Sequence, residues 1–169
     1  MKKSIISSSS LQTKSIAEAL AKTFLGSQQK KGATVVALAG ELGSGKTTFT
    51  QGFAKGLGVE ERILSPTFLI MRKFEIRNSK FENFYHVDCY RLDNPAKELL
   101  HLGFKKILAD PRAIVIVEWA DRIKSIIPKY TLWISLSHPK EGTTANRVIE
   151  FNAISVSYTH LTLPTTPYV

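Results

Sequence analysis

Gly40-Glu41-Leu42-Gly43-Ser44-Gly45-Lys46-Thr47, followed by Thr48, is the stretch whose reading decides the fold. It fits the pattern G-x-x-x-x-G-K-[ST], in which every fixed position has a mechanical job. The glycines let the backbone curl until successive N–H groups point inward as a nest for phosphate oxygens. The lysine reaches the β- and γ-phosphates, and the hydroxyl after it is placed to ligate Mg²⁺. The helix that begins near Lys46 adds the positive end of its dipole. Both flanks agree. Ala33-Thr-Val-Val-Ala-Leu-Ala39 is an apolar, β-prone run entering the loop, and Phe49, Phe53 and Leu57 repeat at spacing four before Gly58, as one buried helix face does. The chain is therefore expected to bind a nucleoside triphosphate.

Outward from the loop the pattern is α/β. Ser15 with Glu18 three residues later reads as a capping box, and Ile16, Leu20 and Phe24 continue one apolar face of a helix ending by Gly26. Residues 67–89 predict an antiparallel hairpin turning at the polar stretch from Arg77 to Lys80. Asn94-Pro95 reads as an N-cap with proline at the first helical position, opening a helix with Leu99, Leu100 and Leu102 that Asp110-Pro111 breaks. Ala113-Ile-Val-Ile-Val117 is a continuous apolar run, the mark of a strand buried on both faces. A short helix to Ile127 stops at Pro128, and Leu132–Leu136 and Arg147–Phe151 flank a turn near Gly142. Together these predict a three-layer sandwich of the P-loop NTPase kind, with a central mixed, mostly parallel sheet flanked by helices, plus an antiparallel hairpin. Residues 1–155 are expected to form a single domain. Residues 156–169 carry no Lys, Arg, Asp or Glu, resemble translated adapter sequence, and are expected to be a non-native or disordered tail.

Composition narrows the function classes. The chain has 169 residues, 43% of them hydrophobic, and no apolar stretch approaching the roughly 18 residues that span a bilayer, so no membrane association is expected. The N-terminus has lysines but no apolar h-region, so no secretion signal is expected. A single cysteine, Cys89, excludes an internal disulfide and suits a reducing, cytoplasmic setting. The net charge of +9 permits contact with nucleic acid, but the lysines are scattered, which leaves a solvated basic surface and direct RNA contact both open. His86, His101 and His138 lack any HExxH or Cys/His pairing, and no zinc site is expected. Cys89 reads as a small buried residue.

A phosphate loop needs an acid near its metal. Glu118 directly follows the buried strand, so its carboxylate should emerge at the C-terminal edge of the sheet, where open α/β folds bind ligands. Asp88 ends Phe84-Tyr-His-Val-Asp88 and can reach the same edge. Either carboxylate can hold Mg²⁺ or orient an attacking water; a solvated strand-end charge and a turn-initiating Asp are the plain alternatives. Arg91 could neutralise developing charge or form a surface ion pair. Trp119 is either a base-stacking platform or a packed rim aromatic.

The Asn-Lys-x-Asp guanine motif is absent, which points to adenine, and Leu-Ser-Gly-Gly-Gln is absent too. The loop from Gly40 to Thr48, Ser65-Pro-Thr-Phe68, His86-Val-Asp-Cys-Tyr-Arg-Leu92 and Val117-Glu-Trp-Ala-Asp-Arg122 come in the order and approximate spacing of one family. Over residues from about 10 to 155 the chain resembles the TsaE family, small ATPases of bacterial tRNA threonylcarbamoyladenosine synthesis. The loop alone is generic; the four segments together are specific. The resemblance implies a nucleotide site made by Gly43, Ser44, Gly45, Lys46, Thr47 and Thr48, with Thr13 near the adenine and Trp119 near the nucleotide. It implies that Thr47 and Glu118 hold Mg²⁺, that Lys46, Asp88 and Glu118 support ATP hydrolysis, and that Thr67 sits in a switch-like loop. It also implies work with TsaD and TsaB that sustains repeated turnover on tRNA, contacted at least indirectly. Ala120 and Asp121 stand where the family often has Pro and Glu. A small-molecule kinase and a nucleotide-gated binding module are the alternatives from other classes.

Overall fold

The apolar run that enters the loop is a central strand, and the rest of the chain is layered around it. In the computed structural model, which describes residues 2–28, 31–64, 69–141 and 145–153, the chain begins with β1 (Lys2–Ser7), α1 (Ser10–Leu25), β2 (Thr34–Ala39) and α2 (Lys46–Gly56). It continues with β3 (Met71–Glu75), β4 (Asn83–Asp88), α3 (Pro95–His101), α4 (Phe104–Leu108) and β5 (Ala113–Glu118). A 3₁₀ turn (Ala120–Ile123), β6 (Leu132–Ser137) and β7 (Arg147–Ala153) complete it. Among the described residues the strands form one seven-stranded sheet in the order β1-β7-β6-β2-β5-β4-β3. The central strands β6, β2, β5 and β4 run parallel, and β1, β7 and β3 pair antiparallel at the margins. The expected mixed sheet is present, and so is its hairpin, β3 with β4.

The layers follow from side-chain alternation. On one face Phe24 of α1 and Phe49 and Phe53 of α2 pack against Val36, Leu38, Phe84, Ile114 and Ile116. On the other, Leu99, Phe104 and Ile123 pack against Val35, Ala37, Val115 and Val117. β2 and β5 are covered on both faces, which is why they read as unbroken apolar runs instead of alternating ones. α1 and α2 lie very close together. A Cβ on Gly52 would meet the Lys14 carbonyl oxygen and stand 2.5 Å from the Lys14 Cα, and one on Gly56 would stand 2.5 Å from the Glu18 carbonyl oxygen.

Several local expectations need correction. α1 begins five residues before Ser15: its N-cap is Ser9, whose hydroxyl accepts from Gln12 N at 3.1 Å, while Gln12 Oε1 accepts from Ser8 N at 2.6 Å. Ser15 lies inside the helix and donates to the Leu11 carbonyl, so the Ser15–Glu18 box is not the start. Asn94 does cap α3, accepting from Lys97 N, but the helix breaks at Gly103, where φ is 80°, and a separate short α4 follows. Leu100 and Leu102 are exposed, so only Leu99 of that trio belongs to the core. The helix expected to reach Ile127 is a 3₁₀ turn ending at Ile123. β1 was not legible at all; it is a margin strand whose pairing with β7 holds it. Thr67, Phe68, Gly142 and the 156–169 tail lie outside the described residues. No described helix is long and apolar enough to cross a membrane.

Candidate nucleotide-binding site

β2 hands the chain to Gly40, where φ is 148° and where a Cβ would strike the Leu136 carbonyl oxygen. No other residue type fits there without moving β6. Gly45, with φ 102°, is the N-cap of α2, and no side chain caps the helix. Its first N–H groups thus have no side-chain acceptor, as at helix starts that bind anions. Lys46 opens α2 and is only 5% exposed. Its Nζ donates to the carbonyl oxygens of Gly40 at 2.6 Å and Glu41 at 2.8 Å, and lies 3.3 Å from Ser44 Oγ. Burial pushes the ammonium below the ordinary lysine range, while Glu118, Asp88 and Asp121 pull it back up.

The acids stand beside this lysine. Asp88 and Glu118 are register partners at the C-terminal ends of parallel β4 and β5. Glu118 is 2% exposed, so the solvated strand-end alternative does not describe it. Its Oε1 accepts from Thr47 Oγ1 at 2.8 Å, and its Oε2 lies 2.5 Å from His86 Nε2. Asp88 Oδ1 accepts from Tyr90 N at 3.0 Å, a turn-initiating bond, while its place opposite Glu118 brings it to the same edge. Trp119 has φ 58°, a left-handed conformation that bulky residues avoid. This turn swings its ring over Lys46, with Nζ 4.0 Å from the ring centroid, and against Tyr90 at 4.9 Å. Trp119 is therefore packed on the second core layer by one side and lies over the lysine by the other, at the phosphate end of the site. Arg122 holds the neighbouring turn, donating to the carbonyls of Cys89 at 2.6 Å and Tyr90 at 3.0 Å. Cys89 is buried as expected, and burial, helped by Asp88 and opposed by Arg122, pushes its thiol up to about 12.

A second arginine braces the loop from outside. Arg147, the first residue of β7, donates to the Ser44 carbonyl at 3.1 Å and the Gly43 carbonyl at 3.2 Å. Between those two carbonyls the Ser44 N–H donates back to the Glu41 carbonyl at 3.1 Å, so the loop is braced by the arginine outside and by its own turn inside. Arg147 is the register partner of Ser7, whose hydroxyl lies 2.7 Å from Thr13 Oγ1. The buried Thr13 thus belongs to the strand-end cluster behind the loop. Arg91 is exposed, and Thr48, one residue after Thr47, is half-buried.

The structure brings Gly43, Ser44, Gly45, Lys46, Thr47, Asp88, Glu118 and Trp119 to one edge of the sheet. Sequence reasoning missed His86 and Arg147. The signals for His86 were its place at the head of the His86–Leu92 segment and its spacing of two from Asp88 on a strand, which places both on one face. Nothing local marks Arg147, whose role depends on where β7 pairs.

Most of the chain is similar to known proteins. The family model "Threonylcarbamoyl adenosine biosynthesis protein TsaE" matches residues 7–149. A tRNA threonylcarbamoyladenosine biosynthesis protein TsaE from Bacillus subtilis is 36% identical over 124 residues, covering 73% of this chain and 72% of that protein. The protein of the same name from Borreliella burgdorferi is 37% identical over 118 residues, covering 70% and 80%. The crystal structure of Bacillus subtilis YdiB superposes with a TM-score of 0.72 at 29% identity, covering 94% of this chain and 89% of that one.

Proposed function

The chain belongs to the TsaE family of threonylcarbamoyl adenosine biosynthesis proteins, and we propose that it is the ATP-binding, ATP-hydrolysing component of the cytoplasmic machinery that makes threonylcarbamoyladenosine in tRNA. In this reading it works with TsaD and TsaB to sustain repeated turnover. The observation that carries it is the meeting of Thr47 and Glu118, 71 residues apart in sequence, at 2.8 Å beside the phosphate loop. A glycine turn with a stray lysine has no reason to gather a helix-start hydroxyl and a buried carboxylate at that point.

The residues fit Mg²⁺. The ion prefers hard oxygen donors, takes one or two from protein, and keeps several waters. Thr47 and Glu118 would hold it, with Asp88 alongside, and when bound it would neutralise charge on the β- and γ-phosphate oxygens. Lys46 would exchange the Gly40 and Glu41 carbonyls for phosphate oxygens. In hydrolysis a water oriented by Asp88 would add to the γ-phosphorus, its proton passing to a phosphate oxygen or to solvent, as the bridging P–O bond breaks and its electron pair leaves with ADP, giving inorganic phosphate. Arg122 and Arg147 already donate to backbone carbonyls, so transition-state charge is left for the exposed Arg91 or for a partner to meet.

The test is ATP hydrolysis with and without purified TsaD and TsaB, together with counting rounds of threonylcarbamoyl transfer to tRNA. Slow activity alone, acceleration by the pair, and loss of the gain in Lys46→Ala are expected. Equal many-turnover modification without this chain would overturn the proposal.

A further inference from the structure

His86 is fully buried in β4, yet it is not packed as a plain core residue. Alternation puts Phe84, His86 and Asp88 on the α2 side of the strand, where Phe84 joins the aromatic core. Ile116 is the register partner of His86, and Glu118 lies diagonally beyond it on the same face. His86 Nε2 and Glu118 Oε2 are 2.5 Å apart, while His86 Nδ1 has no hydrogen-bond partner among the described residues. A buried N–H without a partner costs more than a bare ring lone pair, so the ring proton belongs on Nε2 and is donated to Glu118. Each carboxylate oxygen is then claimed by one neighbour: Oε2 by His86 and Oε1 by Thr47.

We infer that His86 is a positioning residue for Glu118: by fixing one carboxylate oxygen it holds the other on the Thr47 hydroxyl, and so sets the Mg²⁺ requirement of nucleotide binding. This rests on the proposed metal role of Thr47 and Glu118. Without the Nε2 donor, the carboxylate is free to rotate about its terminal bond, and its orientation toward Thr47 is no longer imposed. The phosphate nest and Lys46 do not depend on that contact. The effect should therefore fall on the metal and spare metal-free nucleotide binding. Partners of this kind, one step removed from the ion, typically change metal affinity by about 10- to 100-fold.

Three variants separate positioning from packing. In His86→Gln the amide N–H reaches the place of Nε2, in His86→Asn the same amide is one carbon too short, and His86→Leu has no donor. ATP binding is measured by calorimetry in EDTA and across a Mg²⁺ titration, with hydrolysis as a second readout. The half-saturating Mg²⁺ concentration should rise by about 10-fold or more in His86→Asn and His86→Leu and stay within about threefold in His86→Gln, with binding in EDTA unchanged in all three. Equal behaviour of the Gln and Asn variants, impaired or not, overturns the role of His86, even if His86→Leu fails to fold. A wild-type protein whose ATP binding is insensitive to Mg²⁺ overturns the metal reading beneath it, which is a distinguishable failure.

Discussion

Replacing Lys46 tests the phosphate loop most directly. In Lys46→Ala the Gly40 and Glu41 carbonyls lose their donor, as does Ser44 Oγ, and Trp119 loses the cation beneath its ring. Glu41 is exposed and Gly40 half-buried, so water can replace the lysine there. The fold should therefore survive. Binding is another matter. The wild-type lysine must release two hydrogen bonds to neutral carbonyls, but it gains bonds to phosphate oxygens that carry full charge. The net gain is about one charge-assisted hydrogen bond, roughly 2–3 kcal/mol. That corresponds to an ATP affinity about 30- to 150-fold weaker in the variant. The removed stem is buried, so Lys46→Met, which keeps its volume, should show the same loss and assign it to charge. Calorimetric titration with ATP, beside circular dichroism and a melting curve, measures this. Affinity within threefold of wild type in a folded variant would refute the reasoning.

Three more outcomes follow from the same contacts. Glu118→Gln should lower Mg²⁺-dependent hydrolysis by at least about tenfold while changing ATP affinity in EDTA by less than about threefold, because the lysine and loop donors remain; equal losses in both assays would argue against a metal role. Gly52→Ala should lower the melting temperature by roughly 2–8 °C, since the clash is with Lys14 backbone and overpacking at the upper end of its range (about 2–3 kcal/mol) outweighs the helix-propensity gain of about 1 kcal/mol; calorimetric melting checks it. As pH rises, ATP affinity should fall before the ordinary lysine range is reached, because burial lowers the Lys46 pKa and the neutral amine loses its phosphate attraction. The sign for stability is opposite: the unfolded chain binds the extra proton in that window, so this group makes stability rise with pH. A pH series of ATP titrations should show the affinity step in wild type and not in Lys46→Ala.

What was legible in the sequence was whatever short-range pattern controls. The glycines that must adopt positive φ, the lysine and hydroxyl after them, and the apolar runs of β2 and β5 are local statements, and each stands where it was expected. The N-cap at Asn94 is local too. The Ser15 box failed because Ser9 and Gln12 offer the same chemistry earlier, and the first turn goes to the cap that the chain entering from β1 can reach. β1 was hidden because Lys2-Lys-Ser-Ile-Ile-Ser7 has no two-residue alternation, and its stability comes from β7. His86 and Arg147 were hidden for a related reason. A histidine in an apolar strand and an arginine at a strand start acquire meaning only when register sets them against Glu118 and the loop carbonyls.

Two kinds of contact converge on the loop, and their chemistry says which of them nucleotide can change. Arg147 and Arg122 donate to backbone carbonyls, of Gly43 and Ser44 in one case and of Cys89 and Tyr90 in the other. Those carbonyls have nothing to offer a phosphate, so these bonds can persist through a binding cycle and keep the loop and the Trp119 turn in shape. Lys46 and Thr47 instead hold groups that a nucleotide or metal outcompetes or joins: neutral carbonyls for the lysine, a carboxylate for the hydroxyl. The site is thus preformed in its backbone and exchangeable in two side chains. Because Trp119 lies 4.0 Å from the Lys46 ammonium, the proposed exchange would take place directly beneath an aromatic ring. The ring continues into Tyr90, which is partly exposed, so a rearrangement at the phosphates has a short packed route to the protein surface. For a protein proposed to act through partners, that contact is where nucleotide state would be tested for an effect on the surface: Tyr90→Ala should leave ATP affinity unchanged and weaken partner-stimulated hydrolysis if the route is used, and equal stimulation would refute it.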